Sequence, residues 1–506
     1  MTSDALAIYC SPRVIFRRAF AVLFLTALTA TLDARAQGIA PTITSGGSSC
    51  LALHSDGSLW AWGVQYTNMP VNAVVSQLRP QPVPTPAAAA AGTAWTRIGA
   101  AGDHECALRS DGTLWAWGSN DAGQLGDGTR VAQFGAAVRI DAPGAPAGTT
   151  WTAVVPVGQV TLALRSDSSL WSWGKGLDGL LGDGTTSGAR LVPAPVPVPG
   201  TAPRARWAQV AASNHHVLAV LSDGSLWAWG NNVNGQLGTA APRGYLAVPA
   251  RVLEPPGTGT GTRWVAVAAG NDHSLALRSD GSLWAWGENG HGQLGLGTTV
   301  RQVTPAPVPL PRTAAPNRVW GQIAAGEEHS LALLSDGTLW AWGSNAAAQL
   351  GDNTANDQSA PVQEFTRGTW TQLAGGGQHS LALAQGSNRV YATGAIAPQS
   401  NQGQLGDGTL NGALYFRACL ATALPTTHPA VSDFGQAFPN PARDWVTLAG
   451  VALGTRVVIH NALGQQVGTA EVGTSGVDVR AFPPGIYWLV TQMARASPRF
   501  LRLIKE

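Results

Sequence analysis

Between Trp264 and Leu310 the alternation of apolar and polar positions marks out strands. Trp264-Val-Ala-Val-Ala-Ala is a short apolar run stopped by Gly270, and His273-Ser-Leu-Ala-Leu-Arg278 sets Leu275 and Leu277 against smaller neighbours at period two. Asp280-Gly281 separates that run from Leu283-Trp-Ala-Trp-Gly287. This pattern predicts a hairpin with a type I′ turn, both central residues at positive φ. A glycine-rich loop around Gly292-Gln-Leu-Gly295 then leads into Thr304 to Leu310, rich in Val and Pro. Proline cannot donate to a ladder, so this fourth strand is expected at an outer edge.

The same unit recurs. The first Trp of the third strand falls at Trp60, Trp115, Trp171, Trp227, Trp284 and Trp340, and a weakened seventh copy reads Arg389-Val-Tyr-Ala-Thr-Gly394. Six further Trp open the first strand, at Trp95, Trp151, Trp207, Trp264, Trp320 and Trp370. A constant period means one supersecondary unit stacked on itself, and four antiparallel strands repeated seven times make a seven-bladed β-propeller. Large apolar groups at the same slot in each copy are expected to pack between blades.

Ile323-Ala-Ala-Gly-Glu-Glu-His-Ser-Leu-Ala-Leu333, with near copies at Val267 to Leu277 and Leu373 to Leu383, and Asn120-Asp-Ala-Gly-Gln-Leu-Gly-Asp-Gly-Thr129 carry a resemblance. They resemble the regulator of chromosome condensation repeat family of seven-bladed propellers, over about residues 40 to 420. The nuclear member of that family acts on a small GTPase, a role that export would rule out here. Copy one departs from the pattern, carrying Val64 to Gln77 in place of the Gly-Gln-Leu-Gly loop, and copy seven lacks Asp-Gly and lengthens Ala395 to Gly403.

After Cys419 the period stops. Short strands near Trp445 to Leu448, Arg456 to His460, Val477 to Val479, Ile486 to Val490 and Phe500 to Ile504 suit a small Ig-like β-sandwich. Phe438-Pro-Asn-Pro-Ala442, Ile459-His-Asn-Ala-Leu-Gly-Gln-Gln-Val467, Phe482-Pro-Pro-Gly-Ile-Tyr-Trp488 and Phe500-Leu-Arg-Leu-Ile-Lys505 resemble the carboxy-terminal sorting domain of type IX secretion substrates. The resemblance makes Pro439, Asn440, Pro441, Gly464, Gly485, Tyr487 and Lys505 the sorting-motif residues. It also implies the type IX translocon as a partner, with release or attachment to surface lipopolysaccharide.

The amino terminus agrees. Arg13, Arg17 and Arg18 precede an apolar run from Ala19 to Ala30, and Ala34-Arg35-Ala36 supplies the small residues of a cleavage site before Gln37. The expected organisation is therefore a signal peptide over 1–36, a propeller over 37–420, a linker over 421–436 and the sorting domain over 437–506. No later segment is apolar enough to span a bilayer as a helix.

Composition narrows the function. Charged residues are 12% of the chain, the net charge is +2 and the lysines are Lys175 and Lys505 alone, so the basic field of a nucleic-acid binder is missing. His104, His216, His273, His329 and His379 share one slot, held by Ser49 and Val160 in copies one and three. Equivalent positions are spread around a ring, whereas a metal gathers its ligands at one point, so these read as structural histidines bonding backbone near the turn after the first strand. Asp127, Asp183 and Asp407, and Asp56, Asp111, Asp223, Asp280 and Asp336, recur as turn residues. No nucleophile elbow, phosphate loop or zinc-protease motif is present, and no cofactor is expected. Cys50 and Cys419 fall in the first and last blades, which leaves open a disulfide latching the ring.

Two candidate binding features are left: Tyr66 and Met69 in the divergent segment, and Arg204, Arg206, Arg263, Arg312, Arg318 and Arg367 just before the first strands of copies four to seven. The reading is an exported, monomeric, non-enzymatic propeller that binds an unknown protein or glycan ligand as an adhesion scaffold. The alternatives are a secreted inhibitor or receptor for one protein, and a surface enzyme acting on glycan.

Overall fold

The computed structural model describes residues 41–66, 74–200, 205–255, 261–387, 389–396 and 401–419, and in the tail 437–438, 445–448, 456–461, 466–472, 477–481, 485–492 and 500–505. The expected signal peptide and linker lie outside the described residues. The chain divides into two compact units, Met1–Ala423 and Leu424–Glu506.

The first unit is seven antiparallel sheets of four strands, each a continuous stretch of chain paired in chain order, over 42–82, 95–140, 151–195, 207–251, 264–308, 320–363 and 370–418. First strands of neighbouring blades lie against one another around the axis. Fourth strands carry Pro82, Pro195, Pro249, Pro305 and Pro361 on the outer rim, where a missing N–H costs no ladder bond. Among the described residues the helical content is one 3-10 turn, Leu177–Gly179, and no helix is long and apolar enough to cross a membrane.

The core lies between blades. Trp264 and Trp286 of the fifth blade pack with Leu218, Val220 and Leu237 of the fourth, and Trp320 and Trp342 of the sixth pack with Leu275 and Leu277 of the fifth. Within a blade the two indoles meet tilted, as at Trp207 and Trp229, 5.8 Å between centroids. A strand sandwiched between two blades is buried on both faces, so second strands such as His273–Arg278 show no exposed side despite their period-two sequence.

The hairpins differ from expectation. Only the glycine of each Asp-Gly pair takes positive φ, 77° to 82° at Gly57, Gly112, Gly224, Gly281 and Gly337. In the fifth blade the Gly281 N–H donates to Arg278 O at 2.9 Å, Arg278 N–H to Ser282 O at 3.0 Å, and Ser282 N–H to Asp280 Oδ1 at 2.9 Å. This is a three-residue loop, a type I turn closed by a left-handed residue, rather than a type I′ pair. The aspartate side chain, bonded two residues ahead, keeps its own backbone right-handed.

Val64 to Gln77 is also corrected. The strands Leu59–Tyr66 and Val74–Pro82 run into it from its two ends, pairing Val64 with Ser76, Gln65 with Val75 and Tyr66 with Val74. Residues 64–66 and 74–77 thus extend the outer strands of the first blade where a loop was expected, and residues 67–73 lie outside the described residues. β-branched Val64, Val74 and Val75 suit that extension.

The ring closes by packing, without sharing a strand. Ile43 N–H donates to Gln372 Oε1 at 3.2 Å, Gly377 N–H to Gly47 O at 3.0 Å and Gly408 N–H to Leu78 O at 2.8 Å across the seam. The disulfide latch is not formed: Cys50, Cys106 and Cys419 are free and buried.

The second unit holds a three-stranded sheet of Ala437–Phe438, Trp445–Leu448 and Val477–Asp478, and a four-stranded sheet of Gln466–Glu471, Arg456–Asn461, Gly485–Gln492 and Phe500–Lys505. Val457, Ile459, Val477, Val479 and Leu489 are fully buried.

Candidate functional site

The propeller has two chemically distinct faces. One carries the Asp-Gly hairpins and the connections between blades, tied together by bonds such as Ser222 N–H to Arg206 O and Ser279 N–H to Arg263 O, each 2.8 Å. The other surrounds the axial mouth with the loops between first and second strands and the glycine-rich loops.

A repeated bolt joins the blades beneath the mouth. His273 Nε2 meets Ser330 Oγ of the next blade at 3.0 Å, and that hydroxyl donates to Gln293 O of the first blade of the pair at 2.8 Å. Trp342 Nε1–H donates to the same carbonyl at 2.9 Å. His104 with Thr161, His216 with Ser274 and His329 with Ser380 repeat the contact at 2.7 to 2.8 Å. The histidines are structural, but their short bond is to a hydroxyl one blade over. The expected bond to turn backbone is displaced because the ring lies in the layer between sheets. Burial pulls them down to about 3 for His104, His216 and His329, and about 4 for His273 and His379, so they are neutral.

Three junctions vary the bolt. At the seam Cys50 takes the slot of the hydroxyl, its Sγ 3.1 Å from His379 Nε2 and donating to Gln404 O at 3.5 Å, and Ser45 Oγ of the first blade also meets that nitrogen, at 2.7 Å. Between blades three and four, Val160 and Val217 make an apolar contact instead. Between blades one and two, Ser49 takes the histidine slot and Glu105 the hydroxyl slot. Burial pushes the Glu105 carboxyl up to about 8, against a bond from Ser49 and with Asp103 adding to the rise.

The glycine-rich loops have their own scaffold. Asn120 Oδ1 accepts from Leu125 N–H at 3.0 Å while its Nδ2 reaches Asp127 Oδ1 at 3.1 Å and Val131 O at 3.1 Å; Asn289 repeats the bonds to the leucine N–H and the valine carbonyl, and Asn345 those to the leucine N–H and the aspartate. Asp127 and Asp407 each accept from the Thr two residues on, as turn residues do. Asp183 does the same and also pairs with Arg190.

The candidate arginines stand one blade step apart rather than converging. Arg206, Arg263, Arg312 and Arg367 are exposed on the hairpin face, and Arg318 is paired with Asp336 at 3.0 Å. Arg204 and Met69 lie outside the described residues, and Tyr66 is described only as the paired end of its strand. Sequence reading missed a second set of arginines. Arg109, Arg165 and Arg278 stack over Trp95, Trp151 and Trp264 at 4.7 to 4.8 Å, and Arg278 also reaches Glu254 at 3.0 Å. Their signal was present in the period, since each directly precedes a hairpin.

The mouth is the concave feature that sequence reading overlooked, because its residues come from seven loops. It measures about 270 Å³ and is walled by Ser45, Gly47, Gly158, Gly270, Glu327 and Gly377 among others. Elsewhere in the loops at this end of the sheets His215 pairs with Asp272 at 3.0 Å, and His291 lies 2.7 Å from Asp357 and 3.7 Å from Glu328. These carboxylates hold both histidines above their usual range. Among the described residues no group of three or more His, Cys, Asp or Glu is placed to hold a metal ion.

Of the sorting-motif residues, Gly485 pairs with Lys505 and Tyr487 with Leu503 in the last two strands. Pro439, Asn440, Pro441 and Gly464 lie outside the described residues.

A ring of seven repeated sheets bolted by buried His–hydroxyl pairs, followed by a small two-sheet module, defines a propeller with a separate tail unit. The RCC1-like domain matches residues 72–432, and the chain belongs to that family. The secretion system C-terminal sorting domain matches residues 436–499. The chain is a type IX secretion substrate by that tail, and its place is outside the cell or on the outer-membrane surface. It is 30% identical over 323 residues to the ultraviolet-B receptor UVR8 of Arabidopsis thaliana, covering 53% of this chain and 69% of that protein. It is 34% identical over 204 residues to the probable E3 ubiquitin-protein ligase HERC3 of Homo sapiens, but spans only 18% of it against 40% of this chain. Among solved structures, Prp20p of Saccharomyces cerevisiae superposes with a TM-score of 0.59 at 24% identity, covering 76% of this chain and 86% of that one. Human WBSCR16 gives 0.59 at 23%, covering 69% and 88%. These two likenesses speak to the fold alone.

Proposed function

We propose that this protein is an exported binding scaffold without catalytic activity, cut from a signal peptide after Ala36 and carried out by its sorting tail to recognise a protein ligand. The observation that carries the reading is the engagement of the histidines and turn aspartates in bonds that repeat from blade to blade. A catalytic site brings unlike groups together at one point, whereas these groups are spread around the ring and spent on holding it. The ligase named among the relatives matches over a small part of its length, so its activity is not carried over.

The test is capture by cross-linking with the purified full chain against cell-surface extract and culture medium. The expected result is one enriched protein whose cross-links fall on one face. Hydrolysis of a surface glycan by the purified chain, lost on a single Asp or His substitution that leaves folding intact, would overturn the reading in favour of the glycan enzyme.

A further inference from the structure

We propose that the axial mouth receives a guanidinium or ammonium side chain from a basic segment of a protein partner, with Glu327 as its counter-charge. The inference deepens the binding-scaffold reading and rests on it.

The mouth is a cavity of about 270 Å³, room for one long side chain, and its wall is mostly glycine, alanine and serine at the ends of the first strands. Such a wall presents backbone rather than bulk. A Cβ placed on Gly377 would lie 3.1 Å from Glu327 Oε1, so the carboxylate hangs over the glycine floor of the neighbouring blade. Glu327 is half-buried, and among the described residues no hydrogen bond or ion pair reaches its carboxylate. Burial, with Glu328 beside it, holds its carboxyl above the usual range, and His215 offsets this only in part, so on balance the fold disfavours its charge.

Among the described residues no cation bonds to that carboxylate, and the one basic group that acts on it, His215, is held elsewhere. His215 is committed to Asp272 at 3.0 Å. His273, His329 and His379 pack directly behind the wall at Gly270, Gly326 and Gly376, fully buried, neutral and with no partner on Nδ1. A cation entering the mouth therefore meets a half-buried carboxylate that no hydrogen bond or ion pair reaches among the described residues, where charge pairing is stronger than at an open surface. Asp103, which also lines the mouth, and exposed Glu328 beside Glu327 favour a further basic residue next to the inserted one, which points to a peptide segment rather than a small amine.

Anisotropy of a fluorescein-labelled ten-residue peptide of alternating Arg and Gly, titrated with the full chain, tests this. The wild type should bind, Glu327→Gln should weaken binding about tenfold, the loss of one charge-assisted bond, and Asp167→Asn should change nothing, since Asp167 sits in the hairpin of the third blade on the opposite face, where it accepts from Ser169 N–H. Glu327→Gln should melt no lower than wild type, since it removes a carboxylate whose charge the fold disfavours. Photo-cross-links from the peptide should fall on the loops between first and second strands. No binding to the wild type, equal binding to Glu327→Gln, or cross-links on the hairpin face would overturn the proposal. A captured protein partner that docks on the hairpin face would also overturn it, while leaving the binding-scaffold reading intact.

Discussion

Cys50 Sγ in the first blade lies 3.1 Å from His379 Nε2 in the last, in the slot that a serine or threonine hydroxyl fills at four other junctions. The seam is thus built on the same plan as the rest of the ring, with sulfur in the repeated slot and the Ser45 hydroxyl as a second partner of the ring nitrogen. Burial pushes this thiol up to about 12, so it is protonated and shielded. Iodoacetamide at pH 8 should leave Cys50 unlabelled in the native protein and label it after unfolding. Cys50→Ser should melt within about 2 °C of wild type, since a hydroxyl serves the same bolt elsewhere; rapid native labelling would contradict the burial.

Trp286 is fully buried, and its indole N–H donates to Gln236 O at 2.8 Å. Trp286→Ala removes that bond and opens a cavity between the fourth and fifth blades, at a cost of about 3 to 5 kcal/mol. An unchanged thermal midpoint would rule out the packing role.

Acid should loosen the ring. The five bolt histidines have folded values of about 3 to 4 against about 6.5 unfolded, so the unfolded chain binds more protons and stability falls as pH drops below about 6.5. Each contributes a slope of about 1.4 kcal/mol per pH unit. His215 and His291, raised by their carboxylate partners, oppose this, but both are partly exposed and screened. The melting temperature should drop steeply between pH 7 and pH 5, and His329→Gln should make the drop shallower.

Glu105 titrates in the opposite sense. Its folded value of about 8 stands above the unfolded one of 4.5, so the stability of the neutral carboxyl is present at low pH and is lost as pH rises through that window. Glu105→Gln should therefore gain most over wild type at pH 8 and little at pH 5. A gap in melting temperature that does not change with pH would sink this account.

Removing residues 437–506 should leave a folded propeller that no longer reaches the surface. Surface display of that truncation at the wild-type level, measured by protease accessibility on whole cells, would contradict the role of the tail.

The blades were legible because the Trp-Ala-Trp strand and its flanking glycines impose the same local geometry in each copy. The hairpin type was misread since Asp-Gly is compatible with two turns, and the choice was made by the Asp280 carboxylate bonding to Ser282. Junction chemistry was hidden for a different reason. His104 and Thr161 are 57 residues apart, so their contact depends on how neighbouring sheets stack; the period shows Ser49 in a histidine slot, but not that Glu105 of the next blade is buried beside it. The mouth was least visible of all, since its defining residues are small and only the closed ring makes them a cavity.

Because every blade is one uninterrupted length of chain, the propeller has no topological first member. Cutting the exposed connection between Ile140 and Trp151 and joining the chain across the seam, where Ile43 and Cys419 share one apolar cluster, would give a circular permutant with the same seven sheets. Ring closure is in that sense an ordinary interface, and gain or loss of a whole repeat would disturb its angles while leaving every strand pairing intact.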